Sequence, residues 1–339
     1  MMSETKMELS KELEQFFFRS VLKRREIEAL RARCENYQLQ SAPQWSPGLF
    51  QSYSQYFGFL SALKIRSALF ELAYRGYLKS LMGKKIQLLD FGAGTLGGSL
   101  GAVDFLQTQN IQVETLLAVD KDLDPVQWSA REFKDFLPKI QTSQHLPKSL
   151  KPGTLFIAVD VLNELQTWDS MVQLIKTIPE DSLFVLIEPA SKAHNQRLLQ
   201  MRDEILPQLP KGVSLLLPCT HSMSCPALPV GEWCHEERDY KAPSVYWNLV
   251  HEMGFRRSRL AFSLLSFGSQ ESAFRPTDAR VVSQILRPKG RCEKWLCSQG
   301  RRWKLSMLQR KRSDENAFVY DAKRGDVLDC LSTGISAGD

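Results

Sequence analysis

The sequence predicts an α/β fold in which a mostly parallel sheet is covered by helices on both faces, preceded by a helical region and followed by a cysteine-rich loop and a β-rich extension. Three observations carry that expectation. Between residues 85 and 207, short apolar runs alternate with helical stretches, the mark of βαβ units. A glycine-rich turn follows the first of those runs and opens the next helix. After residue 210 the alternation stops, and prolines, cysteines and then basic residues accumulate. The expected divisions are a helical region at 1–82, the sheet domain at 83–217, and the cysteine-rich loop with the basic β-rich region at 218–330.

Residues 4–38 read as helix, because Leu9, Leu13, Phe16, Phe17 and Val21 recur at three- and four-residue steps among Glu, Lys and Arg. SAPQWSPG (41–48) holds two prolines and a glycine and is a break. Residues 49–82 return to helix with a Tyr and Phe stripe, read as core rather than as a surface for stacking bases. IQLLDF (86–91), TLLAVD (115–120), TLFIAVD (154–160) and SLFVLIE (182–188) read as buried strands. Helices are expected near 98–108, 124–137, 162–178 and 191–207. VSLLLP (213–218) reads as a further strand, followed by a Cys/His loop to about residue 240 and a helix over 243–253. Strand-like segments follow at 259–267, 279–287, 303–308 and 317–320, and the tail 332–339 is expected to fray.

Composition narrows the class. The 339 residues are 43% apolar and 24% charged, enough for a real core, which excludes a disordered or fibrous protein. No apolar run approaches the ~18 residues of a membrane span. The opening MMSETKMELSKELEQFFF mixes Glu and Lys ahead of any apolar stretch, unlike a secretory or transit peptide, so a cytoplasmic protein is expected. Seven cysteines, an odd count, then suggest thiols or metal ligands rather than disulfides. The net charge of +6 is uneven: residues 287–312 hold ten basic residues and one acid, Glu293, for +9, so the rest of the chain nets −3. Charge gathered in this way fits a polyanion, or simply a solvated basic strand pair.

The turn Asp90-Phe91-Gly92-Ala93-Gly94-Thr95-Leu96-Gly97-Gly98 sits between strand and helix, where glycines let a ligand approach the main chain and free N–H groups bind its polar atoms. Asp120 ends the next strand, where an acid reads a ribose diol, although it also suits a helix cap. S-adenosylmethionine and a dinucleotide both use this arrangement. The first is favoured because Gly92, Gly94 and Gly97 fit G-x-G-x-x-G only in part, Asp90 precedes the turn, and Asp160 to Leu165 follows the third strand with Asp160 and Asn163 placed for the cofactor. Glu188-Pro189 lies on the same carboxyl edge.

Cys219, Cys225 and Cys234 fall within sixteen residues, among Pro218, Pro226 and Pro229. Proline-stiffened thiolates converge on a metal with little further entropy loss. His221, His235, Cys292 and Cys297 are candidates for a fourth ligand, and the spacing does not choose between zinc and iron–sulfur. Cys34 and Cys330 read as incidental.

Taken together, LLDFGAGTLGGS, VDVLNEL, LIEPASKAHNQRLLQMRDEIL, PCTHSMSCP, GEWCH and ILRPKGRCEKWLC resemble the methyltransferase-like proteins of the small ribosomal subunit, found in mitochondria and bacteria, from about residue 50 to residue 326. The resemblance implies a Rossmann-like class I S-adenosylmethionine-dependent methyltransferase fold, a four-cysteine [4Fe–4S] cluster, and a role in maturing the small subunit. It makes Cys219, Cys225 and Cys234 ligands, with Cys297 as the fourth through its WLC context rather than Cys292. It also implies that the small subunit and its ribosomal RNA are partners, and a monomer is expected. Thr95-Leu96 stands where the family is expected to carry Pro-Gly or a similar tight pair, which bears on cofactor strength and not on fold. No Asn/Asp-Pro-Pro-aromatic motif is present, and Pro218-Cys219 lies past Glu188, so no catalytic base is assigned. Two readings follow: a methyltransferase acting on ribosomal RNA, and an assembly factor that keeps the fold without turnover.

Overall fold

The computed structural model describes residues 7–38, 45, 47–255 and 258–330. The expected fraying tail at 332–339 and most of the break at 41–48 lie outside the described residues.

The four apolar runs form the parallel strands β1 (Lys85–Phe91), β2 (Gln112–Val119), β4 (Thr154–Val159) and β5 (Leu183–Pro189). Buried on both faces, β4 and β5 have no polar alternation to show. A fifth parallel strand, β3 (Lys139–Ser143), pairs with β2 at the edge. The sheet order is β3-β2-β1-β4-β5-β8-β6, with β6 at Ser214–Leu217 and β8 at Leu260–Gly268. β8 runs antiparallel to both β5 and β6. A short strand, β7 (Glu236–Arg238), pairs with the start of β8. The order turns back between β1 and β4, so their carboxyl ends frame the crevice where such sheets bind ligands.

The helical region is α1 (Lys11–Phe17), α2 (Arg24–Gln38), α3 (Pro47–Tyr53) and α4 (Phe59–Tyr74), with one π-helical turn at Ser54–Gly58 between α3 and α4. The single helix expected over 4–38 is thus two. Ser10 caps α1, accepting from the Leu13 N–H at 3.2 Å, and α1 stops at Phe17. α4 buries residues on every side, from Phe59 to Leu72, because it lies between α1 and the sheet. Leu13, Phe17 and Leu30 share one apolar core with Leu88, Leu100 and Leu155 of the sheet domain. Where α4 crosses α5 (Gly97–Thr108), the helices touch backbone to backbone. A Cβ on Gly101 would lie 2.3 Å from the Ala62 carbonyl oxygen, and one on Gly97 2.5 Å from that of Gly58. The remaining covering helices are α6 (Asp124–Glu132), α7 (Asp169–Lys176), α8 (Lys192–Ile205) and α9 (Ser244–Glu252).

Beyond β8 the chain builds a second, antiparallel sheet, β11-β10-β9-β12, from β9 (Asp278–Val281), β10 (Arg291–Ser298), β11 (Arg301–Leu308) and β12 (Val327–Asp329). Gln299 and Gly300, both with positive φ, make the two-residue turn that joins β10 to β11. One face packs Leu296, Trp303, Val319, Ala322 and Leu328 together. Two expectations are corrected. Residues 317–320, expected as a strand, form the short helix α10 (Ala317–Asp321), which lays Val319 and Tyr320 on this sheet and leaves Phe318 outside. The strand expected over 279–287 keeps ladder pairing only through Val281, and Leu286 makes an isolated bridge to Glu293.

Candidate functional site

Gly92 and Gly94 have positive φ, and a Cβ at Gly92 would lie 2.3 Å from Val161 Cγ2, so only glycine fits. Leu96, also at positive φ (57°), caps α5 in the conformation a glycine adopts freely, at a cost of roughly 1–2 kcal/mol. Here the Thr95-Leu96 departure has a structural consequence. The turn is held by the acids around it. Asp120 Oδ2 accepts from the Gly94 N–H at 2.8 Å and Oδ1 from the Asp122 N–H at 3.0 Å. Asp90 Oδ2 accepts from the Ser99 N–H at 3.1 Å and from the Ser99 hydroxyl at 2.6 Å. Burial pushes the Asp90 carboxyl up to about 7, against the pull of the Ser99 hydrogen bonds, and burial likewise raises Asp120.

Above this turn lies a cavity of about 330 Å³, lined by Asp90, Gly92, Gly94, Gly97, Asp120 and Asp160. Lys121, Gln144 and Glu164 also line it, and Trp45, Tyr53, Gly58 and Ser61 close it from the helical region. Those four were not anticipated: nothing in the aromatic stripe distinguishes Tyr53 from its core neighbours. Trp45 packs edge-on against Tyr53 at 4.8 Å between ring centroids.

Asp160 ends β4 in the left-handed region (φ 58°), and its N–H donates to the Ile187 carbonyl at 2.8 Å. Its Oδ2 meets the buried Lys64 ammonium of α4 at 2.5 Å, while Oδ1 is buried without a hydrogen-bond partner. Asn163 is not among the residues lining this cavity. Its Nδ2 donates to Glu188 Oε2 at 3.0 Å, and Glu188 Oε1 accepts from the Leu162 N–H at 2.8 Å. Burial, then the charge of Asp160, pushes the Glu188 carboxyl up to about 8.

The cysteine loop runs from β6 to β7, and one face of α8 holds it. Asn195 Oδ1 accepts from the Cys234 N–H at 2.8 Å, and its Nδ2 donates back to the Cys234 carbonyl. Two turns on, the fully buried Arg202 donates from Nη2 to the carbonyls of His221 (3.0 Å) and Met223 (2.9 Å). Asp203 Oδ2 accepts from the Cys225 N–H at 2.8 Å. β10 brings Cys297 to the same place, where the Thr220 hydroxyl donates to its carbonyl at 3.5 Å and His221 Nε2 lies 3.6 Å from its sulfur.

Cys219, Cys225, Cys234 and Cys297 lie within electrostatic reach of one another. Burial, then the other three sulfurs, pushes the Cys297 thiol up. Burial, then Glu236 and two of the cysteines, pushes Cys234 up to about 12. Cys292 lies elsewhere: its Sγ contacts the Tyr320 carbonyl at 3.7 Å inside the second sheet's core. His235 turns away to Glu237, at 3.1 Å. Among the described residues, no group of three or more His, Cys, Asp or Glu is gathered closely enough to hold a metal ion. The four sulfurs, Cys225 buried and Cys219, Cys234 and Cys297 half-buried, are soft donors of the kind that soft metals take.

No helix of the described residues is long and apolar enough to cross a membrane. A search of curated proteins returned no match. Among solved structures, the chain is similar to a putative RNA methyltransferase from Pyrococcus horikoshii, at 15% identity over 62% of this chain and 86% of that one, with a TM-score of 0.35. It is also similar to an S-adenosylmethionine-dependent methyltransferase from Clostridium acetobutylicum, at 10% identity over 85% of each chain, with a TM-score of 0.30. The family model described as mitochondrial small ribosomal subunit Rsm22 matches residues 87–329, most of the chain, and the protein belongs to that family.

Proposed function

We propose that the cavity binds S-adenosylmethionine and that the protein acts, as a monomer, on the small ribosomal subunit, methylating its RNA or maturing it. The observation that carries the cofactor is the acid lining of the cavity: Glu164 is paired with Lys121 and Asp160 with Lys64, which leaves Asp120, with no ion pair among the described residues, and the buried Asp90 to set the negative field. A sulfonium with its ammonium group gains from that field, whereas a dinucleotide's pyrophosphate would meet it with like charge. Asp120 would read the ribose diol, with the glycine turn beneath. Calorimetry tests this. Micromolar binding is expected, with Asp120→Asn weakening it about 10- to 100-fold, as loss of a charged hydrogen bond does. A flat trace with the parent protein removes the reading.

Cys219, Cys225, Cys234 and Cys297 would hold a [4Fe–4S] cluster, with zinc as the alternative. Bound there, the cluster would supply a covalent tie between the loop carried by α8 and strand β10 of the second sheet. Brown protein containing iron and sulfide is expected from anaerobic purification, and zinc without iron would overturn the assignment. RNA binding through the basic segment would follow salt: with about five phosphates contacted, the slope of log K against log salt is roughly −3.5 to −4.5. The reading places the protein in the cytoplasm. The family's description names a mitochondrial protein, so cell fractionation separates the two compartments.

The second reading is an assembly factor without turnover. The Asn163 amide is engaged by Glu188, which leaves Asp160 and Glu164 as the acidic side chains after β4 that line the cavity. Methyl transfer to small-subunit RNA by the purified protein decides between the two.

A further inference from the structure

The second sheet has two unlike faces. Along β10, Cys292, Lys294 and Leu296 point inward and are fully buried, whereas Arg291, Glu293, Trp295 and Cys297 point outward. Opposite them on β11, Trp303 points inward, whereas Arg302 and Lys304 point outward. Trp295 is 38% exposed on this outer face, and the Trp295–Lys304 pair lies directly across the two strands. The Arg302 guanidinium sits 5.9 Å from the indole centroid, a distance at which the cation holds the ring in place. Arg291 and Lys304 are each about half exposed. The one acid of the segment, Glu293, is already engaged by Lys304 at 3.2 Å and by the Ser306 hydroxyl at 2.7 Å. Of the ten basic residues in 287–312, Lys294 alone is buried, so the segment presents its positive charge outward.

A large apolar ring in the middle of a cationic sheet face has a specific use. Cations alone bind a phosphate backbone in any form. An exposed indole adds a flat surface for a base that is not already stacked, and the wide face of a sheet lets an unpaired strand lie across it. A duplex keeps its bases inside and gains nothing from the ring.

We propose that the outer face of the β10–β11 hairpin binds an unpaired stretch of RNA, with one base stacked on Trp295 and the neighbouring phosphates met by Arg291, Arg302 and Lys304. This rests on the RNA reading above and names its site. Cys297 lies on the same face two residues from Trp295, so the platform begins at the cysteine site.

The test uses the full-length protein, purified without oxygen, with a short fluorescein-labelled oligouridylate and an RNA duplex of equal length. Trp295→Ala is expected to weaken the single strand roughly 5- to 150-fold, the weight of one base–aromatic stack, without changing the salt slope. Trp295→Phe restores most of that affinity, and thermal unfolding of both variants matches the parent. Lys304→Gln is expected to weaken strand and duplex alike and to reduce the slope by about 0.7. Parent-like affinity in Trp295→Ala overturns the proposal while leaving RNA binding intact. So does an equal loss on the duplex. Polyglutamate that displaces RNA and itself depends on Trp295 points to an acidic protein partner and also overturns it. No RNA binding by the parent overturns the proposal together with the RNA reading beneath it.

Discussion

Replacing Arg280 by Met tests how the second sheet is joined to the rest of the molecule. Arg280 lies on β9, fully buried, and its guanidinium spans two carboxylates. Nη1 and Nη2 meet Glu71 of α4 at 2.8 and 3.1 Å, and Nε and Nη2 meet Glu236 of β7 at 3.0 and 2.7 Å. Arg238 bridges the same two acids, and Arg75 adds a further contact to Glu71 at 3.0 Å. Removing one partner of a buried ion pair costs about 3–5 kcal/mol. Because Arg75 and Arg238 remain, the lower end applies, about 3 kcal/mol, or roughly a hundredfold in the unfolding equilibrium. With a urea slope of about 3 kcal/mol per molar, the midpoint should fall by about 1 M. Tryptophan fluorescence reads this, since Trp303 lies in the second sheet's core. Lys84→Met, which breaks an exposed pair with Asp181, is the control and should shift the midpoint little. An Arg280→Met midpoint no lower than the control's would refute the reasoning. The pH dependence gives a second check. Burial works to raise Glu71, but Arg280, Arg75 and Arg238 overcome it and hold the carboxyl at about 2, below its usual 4.5. Its contribution is therefore complete above pH 4.5 and is lost as the pH falls towards 2. In Arg280→Met the folded-state value rises towards 4.5, so that acid loss should be smaller and should end at a higher pH.

Two further outcomes follow from packing. Gly101→Ala sets about 1 kcal/mol of helix propensity gained against a Cβ placed 2.3 Å from a backbone oxygen of α4. Overpacking of roughly 1–3 kcal/mol outweighs it, so a lower urea midpoint and weaker cofactor binding are expected, the latter because Gly58 and Ser61 of the cavity move with α4. A parent-like variant in both measurements would mean the helices part freely. Lys294→Met strands the carbonyls of Val319, Tyr320 and Ala322, which the ammonium now meets at 2.6, 3.1 and 2.8 Å. A loss of about 1–3 kcal/mol per buried acceptor left unpaired should make α10 and β10 sensitive to limited proteolysis, and unchanged resistance would count against that role.

β4 and β5 were legible because burial on both faces makes a strand a continuous apolar run, and β1 and β2 because their carboxyl halves are buried in the same way. β3 was not, since KIQTS is a polar edge strand with little to distinguish it from a loop. The glycine turn, Asp120 and Asp160 lie around one cavity, whereas Asn163 is engaged outside it by a carboxylate 25 residues later. Lys294 counts as a surface charge by composition, yet the two-residue period of β10 puts it in the core, where the end of α10 supplies its acceptors. The Glu71–Arg280–Glu236 cluster left no sequence signal: its members are as much as 209 residues apart, and each is an ordinary charge until the fold brings them together. Tyr53 hid for the opposite reason, inside a stripe of aromatics that mostly do pack as core, and Trp45 lies in the proline break ahead of that stripe.

On the proposed cluster assignment, the cysteines also set an order of events during synthesis. Cys219, Cys225 and Cys234 lie on an excursion between β6 and β7, and β7 in turn pairs with β8, so both ends of that excursion are pinned to one sheet. Cys297 is contributed from the far side of β8 and β9, 63 positions after Cys234. A chain still emerging from the ribosome holds three of the four sulfurs and cannot complete the set. On that assignment loading waits for the hairpin to emerge and close, and a product truncated before Cys297 would lack the fourth ligand.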